Sequence, residues 1–413
     1  MVMRILLAAV AAFAVASCAF FDESVAELRT DVPQMALYAD AFNASQDRHW
    51  VHVIYDADLA AGLNAPGPKP ALVIGRYLKS SSARGHFQSL DYLFSELVVN
   101  QSAFYGELLD LGNLDGRQLL LPVSFNLPLI MFDKKQEAQI SNSFTLELAE
   151  LEKLAVASNK ETKGSWTALG FGPRWSPEFL YNVVQLKGGS FREGAPLSWD
   201  ASSLAQGIQY LREWTVRANG SAAREDEFQF KYLYLPPGKS VQEGRIAFAA
   251  MDSSEFFVIP EERRASLSFR WLAGDGKLPI SDGIVYAGIC RRSSGKQAAE
   301  AFLKWFYSED TQKTILDDAR RFRSSELSFG IAGGFSAVRQ VNEKLFPLYY
   351  PSLLGRLPPA RSLSAPAILP SSWPAMKAQI VLPFLVAATG PDGSGTDTLA
   401  ARIQSWLKRQ SSN

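Results

Sequence analysis

Few residues in this chain have the types and spacing that chemistry requires. Histidine occurs only as His49, His52 and His86, and none has metal-ligand spacing with another His or with a Cys. Gly-x-Ser-x-Gly, His-Glu-x-x-His, a phosphate-cradling loop ending in Lys-Ser/Thr and a dinucleotide glycine pattern do not occur. Carboxylates adjoin at Glu225-Asp226-Glu227 and Asp317-Asp318, where they are available for acid–base work. Such charge runs are more often solvated faces. The stretch Gly390-Pro391-Asp392-Gly393-Ser394-Gly395-Thr396-Asp397 has the oxygen-rich look of a calcium loop but lacks the later Glu and the regular ligand spacing, so it reads as a loop and helix cap. The expectation is no catalytic residue, no metal and no cofactor.

The start of the chain carries different chemistry. Arg4 is followed by an apolar stretch, Ile5 to Ala16, too short to span a bilayer comfortably. Val15-Ala16-Ser17-Cys18 resembles the lipobox of bacterial lipoproteins. That likeness implies a signal peptide over 1–18, acylation of the Cys18 thiol, and a membrane anchor at the cell envelope facing the periplasm or exterior. Cys290, beside Ile289, is then left without a disulfide partner and reads as a packing residue.

Binding is better provided for than catalysis. Lys+Arg and Asp+Glu number 42 each, so the net charge of zero gives no electrostatic reason for a nucleic-acid partner and favours an uncharged solute. Aromatic residues make up 12%, enough for flat platforms against sugar rings beyond the demands of packing. Trp166 and Trp175 flank a loop containing Gly164, Gly170 and Gly172, and Trp373 lies between Ser- and Pro-rich stretches. These three, with Tyr286 at the start of a returning strand, are candidate ligand contacts, packing being the alternative for each. Trp214 and Trp305 sit on helix stripes and are assigned to packing.

The elements that would position these residues alternate. Strands are predicted at Val25–Thr30, Val51–Tyr55 and Ala71–Ile74, with a helix between the first two; that order suggests a parallel α/β sheet. Asp200 caps a predicted helix running to Asn219, with Gly220 beyond it. Gly244–Met251 and Gly283–Cys290 read as strands, Ser294 as the cap of a helix through Tyr307, and Asp397 to Lys408 as a closing helix. A length of 413 residues calls for two domains.

Four stretches, in order, resemble extracellular (periplasmic) solute-binding proteins of family 1, which includes maltose-binding protein. They are Leu120–Lys134, the Gly188-Gly189 turn before the 200–219 helix, Val241–Phe248, and Ala298–Gln312. The resemblance implies an α/β fold of two lobes, each with a mostly parallel sheet flanked by helices, joined by crossover strands. The implied lobes are 24–133 plus 283–325 and 134–282 plus 326–413. It further implies a monomer that traps a small solute, a sugar or oligosaccharide, between the lobes and delivers it to the permease subunits of an ABC importer. Phe125 and Asn126 fall where the first stretch passes the cleft. Asp252-Ser253-Ser254 stands where many sugar binders place Gly-Pro-Trp, so one expected stacking platform is missing and Asp252 is left to bond hydroxyls or cap a helix. The alternative reading is a lipid-anchored extracytoplasmic hydrolase acting on carbohydrate.

Overall fold

A computed structural model describes residues 24–391 and 398–411. Cys18 and most of the Gly390–Asp397 stretch lie outside them. The strands of the two main sheets are, in chain order, β1 (Ser24–Thr30), β2 (His49–Tyr55), β3 (Leu72–Arg76), β4 (Leu121–Phe125), β5 (Pro128–Asp133), β6 (Thr145–Glu147), β7 (Phe248–Asp252), β8 (Leu267–Ala273), β9 (Val285–Ile289) and β10 (Phe335–Ser336).

The first sheet has six strands in the order β10-β4-β9-β3-β1-β2. β1 runs parallel to β2 and to β3, as the strand–helix–strand alternation predicts. β9 is antiparallel to both β3 and β4, and β10 is antiparallel to β4. The second sheet has the order β7-β5-β8-β6, and only its β8–β6 pair is parallel. The expected mostly parallel sheets are therefore mixed. β9 enters the first sheet from a crossover and arrives in the opposite direction to β3.

The chain first passes between the sheets at Asn126-Leu127, joining β4 to β5. It returns through 280–284 into β9. A further link carries Leu363–Ser364 alongside Leu278–Pro279 as a short parallel pair. The expected lobe boundary after 133 thus falls one strand late, because β5 pairs only in the second sheet. Likewise β10, expected in the second lobe, belongs to the first sheet.

Burial follows the pleat. In β5, Leu129 and Met131 join the core that covers the first sheet, whereas Ile130 and Phe132 face a second core with Phe248 and Leu272. Against that second core lie the Pro177–Leu186, Ala201–Asn219 and Leu382–Ala388 helices, through Phe179, Leu211, Trp214 and Leu385. The Ala201–Asn219 helix ends as the sequence demands: the Asp200 side chain accepts from the Ser203 amide, and Gly220 takes a left-handed φ of 84°. Among the described residues, no helix is long and apolar enough to cross a membrane.

Candidate functional site

The parallel strands of the first sheet end at the crevice between the lobes, where open α/β sheets place ligands. Asp31, Tyr55 and Arg76, at or just beyond the ends of β1, β2 and β3, line a cavity of about 500 Å³. Ser371, Pro374 and Trp406 close it from the other lobe. Asp31 and Arg76 pair at 3.6 Å. Burial raises the Asp31 carboxyl above its ordinary range, and Arg76 only partly offsets this. Tyr77 and Pro374 are shared with a second, central cavity of about 420 Å³.

Asp282, on the chain returning to β9, is the hub of that central cavity. Its Oδ1 accepts from the Tyr181 hydroxyl at 3.1 Å and from Gln185 Nε2 at 3.3 Å. Its Oδ2 accepts from Trp373 Nε1 at 2.8 Å and from Lys377 Nζ at 3.1 Å. The side chain is 4% exposed, so these donors replace water almost completely. Lys377 also reaches Glu178 at 2.7 Å and sits 3.9 Å from the centre of the Tyr181 ring. Burial alone would lower the Lys377 ammonium; Asp282 and Glu178 overcome it and hold the group above its ordinary value. Tyr77 and Tyr181 are both pushed up, first by burial and then by the charge of Asp282, so both hydroxyls stay protonated donors. The wall therefore offers hydroxyls, carboxylates, an ammonium and aromatic surface, an inventory suited to a hydroxyl-rich solute.

The residues singled out from the sequence fall in different places. Asp252 lines the central cavity. It also caps the Ser253–Phe256 turn of helix through the Ser254 amide, and its Oδ2 accepts from Ser281 Oγ at 2.6 Å. Burial raises its carboxyl against those hydrogen bonds. Trp175 lines a third, apolar cavity of about 200 Å³. Trp373 is fully buried beneath the cleft and meets its wall through Asp282 and the Tyr181 ring.

Phe125, Asn126, Trp166 and Tyr286 line none of these three cavities. Phe125 packs between Tyr105 and Phe335. Asn126 ties the crossover: its Nδ2 donates to the Gly333 carbonyl at 2.9 Å and its Oδ1 accepts from Ser253 Oγ at 2.7 Å. Trp166 donates to the Asn219 carbonyl beneath the Arg224 guanidinium. Tyr286 is a core residue of β9. The sequence reading missed Tyr77, Tyr181, Asp282 and Lys377. One faint signal was available: Asp282 stands just ahead of the apolar run Ile284–Ile289. Among the described residues, no group of three or more His, Cys, Asp or Glu is arranged to hold a metal ion.

No family model matches this chain, and no curated protein does. Solved structures are similar over nearly its whole length. An ABC substrate-binding protein from Listeria monocytogenes in complex with cycloalternan is 14% identical, with a TM-score of 0.62, covering 94% of this chain and 100% of its own. A cyclic α-maltosyl-1,6-maltose binding protein from Arthrobacter globiformis is 16% identical, with a TM-score of 0.62, covering 92% and 97%. A sugar transporter protein from Rhizobium etli in an open conformation is 13% identical, with a TM-score of 0.63, covering 93% and 99%. At these identities the likeness is one of fold: the chain has the two-lobed α/β fold of periplasmic sugar-binding proteins.

Proposed function

We propose that this chain is a solute receptor. It holds an uncharged solute, a sugar or oligosaccharide, between its lobes and delivers it to the permease of an ABC importer. The observation that carries this reading is the polar, tyrosine-lined cleft at the strand ends, walled by both lobes and by the returning crossover segment. The proteins of similar fold are named for binding saccharides, which supports the same solute class. On this reading the protein is a monomer of the family 1 solute-binding proteins, anchored by a lipid on Cys18 in the cell envelope. Its hinge runs through Asn126-Leu127 and 280–284, and Tyr77, Glu178, Tyr181, Asp252 and Lys377 contact the solute.

A thermal-shift screen of mono- and oligosaccharides, polyols and amino acids, followed by calorimetry, tests the reading. A true ligand at one hundred times its Kd adds about 2.7 kcal/mol to stability. It should be recovered unchanged after incubation. A panel in which no saccharide binds, or in which a bound one is hydrolysed, overturns the receptor reading.

A further inference from the structure

We propose that the ligand has two unlike parts: a hydroxyl-rich part in the cleft and an apolar aglycone, aryl or alkyl, in the adjoining cavity at Trp175. The physiological ligand is then a glycoside of an apolar group rather than a plain saccharide. This rests on the reading of the cleft as a sugar site and narrows its ligand class.

The third cavity, about 200 Å³, is walled chiefly by Phe171, Trp175, Phe228, Leu235, Pro237 and Ile246. It adjoins the central cavity: Ser176 and Ala250, two of the smallest side chains in either wall, line both spaces. Its size exceeds the roughly 150 Å³ that admits a benzene ring to an apolar cavity.

Its chemistry contrasts with that of the cleft. None of its lining residues is charged, whereas the central cavity carries Glu178, Asp252, Glu255, Asp282 and Lys377. Its polar side-chain groups are few, and three of the five are committed: Trp175 Nε1 donates to the Glu225 carbonyl at 3.2 Å. Ser176 Oγ accepts from the Phe179 amide at 3.2 Å, and Ser240 Oγ reaches the Leu235 carbonyl at 3.5 Å. The Gln229 amide and the Tyr232 hydroxyl remain, too few to match the hydroxyls of a sugar ring buried there. The cavity's largest ring is taken up by packing. Trp175 is stacked on Phe228 at 5.7 Å, and Gly172 lies so close on its ring that a Cβ there would come within 2.4 Å of it. Space of this kind gains most from an apolar group, and only the Ser176 and Ala250 wall is common to it and the cleft.

The test compares glucose and maltose with their 4-nitrophenyl and octyl glycosides by calorimetry. Burying an aryl or alkyl group of side-chain size should tighten binding at least about tenfold over the parent sugar. Gln229→Trp fills the cavity from the Ala222–Lys231 helix, and the Gln229 side chain holds up nothing in the cleft. This variant should remove the tenfold gain and leave the parent-sugar affinity unchanged, whereas Gln229→Ala keeps the gain. Equal affinities for sugar and glycoside overturn the proposal, as does a gain that survives in Gln229→Trp. Should no saccharide of the screening panel and no glycoside bind, the sugar reading itself fails, and the apolar compartment is then tested with 4-nitrophenol alone by tryptophan quenching. Quenching lost in Gln229→Trp sustains an apolar site, and its absence in the unaltered protein disproves one.

Discussion

Glu225 shows what a single buried group does to this molecule. Its side chain is fully buried at the start of the Ala222–Lys231 helix, with Asn219 Nδ2 donating to Oε1 at 2.6 Å. Burial pushes its carboxyl from 4.5 up to about 7, against the pull of Asn219, Thr215 and Arg174. Between those values the folded chain keeps a proton that the unfolded chain has released. Raising the pH through that window therefore weakens the fold, by up to about 3 kcal/mol for this group. Glu225→Gln should flatten that slope, and urea unfolding at pH 5 and pH 7.5 measures it. Asp282 is the opposite case, a charge whose donors are all in place. Asp282→Ala strands buried donors on Tyr181, Trp373 and Lys377 and should cost about 2–4 kcal/mol in the same assay. Asp282 did not stand out in the sequence, and Glu225, in a charge run that reads as a solvated face, is buried instead, because burial and convergence are properties of the fold. Residue type alone pointed to tryptophans, yet Trp373 holds up the cleft floor from below and Trp166 packs elsewhere. Asp252 was found because its position in the resemblance was unusual.

Among elements, the helices were legible and the sheet boundaries were not. A helix buries one stripe, so Leu204, Leu211 and Trp214 announce the Ala201–Asn219 helix by spacing alone. β5 is buried on both faces, and an apolar run without alternation does not say which sheet it joins. The apolar run alone therefore carries the expected first lobe through residue 133. The helix expected to start after Ser294 begins instead at Lys296, and the residue before it explains the delay. Gly295 takes a φ of 76°, and a Cβ there would lie 2.0 Å from the Val25 carbonyl oxygen of β1. The turn presses the Lys296–Phe306 helix onto β1 as only glycine allows. Gly295→Ala combines left-handed strain with a backbone clash and should lower stability by about 2–4 kcal/mol. Denaturant midpoints of the two proteins decide it, and a shift below 1 kcal/mol would show that β1 yields easily.

At the scale of the whole molecule, function on the proposed reading is an equilibrium between open and closed lobes, and closure has contacts of its own. Glu193 belongs to the second lobe, next to Phe191 in its core. Its carboxylate accepts from the Ser81 amide at 2.9 and 3.0 Å and from Ser81 Oγ at 3.0 Å, and lies 3.5 Å from Arg84, all in the first lobe. Ser82 and Ser371 meet at 3.0 Å beside it. Ser371 lines the cavity at the strand ends, but Glu193, Ser81 and Arg84 line neither cavity of the cleft. The effect of Glu193 on affinity therefore runs only through the closed population: apparent Kd scales inversely with the fraction of molecules in the binding-competent form. A half-buried cluster of this kind contributes about 1 kcal/mol, so Glu193→Ala should weaken saccharide binding about three- to tenfold. The unliganded protein should expand in small-angle scattering, while the saturated complex keeps its dimensions, because the ligand then supplies the bridge that Glu193 no longer does. Unchanged affinity together with unchanged scattering would mean that the crossovers alone, through Asn126, Ser253 and Ser281, set how far the lobes open.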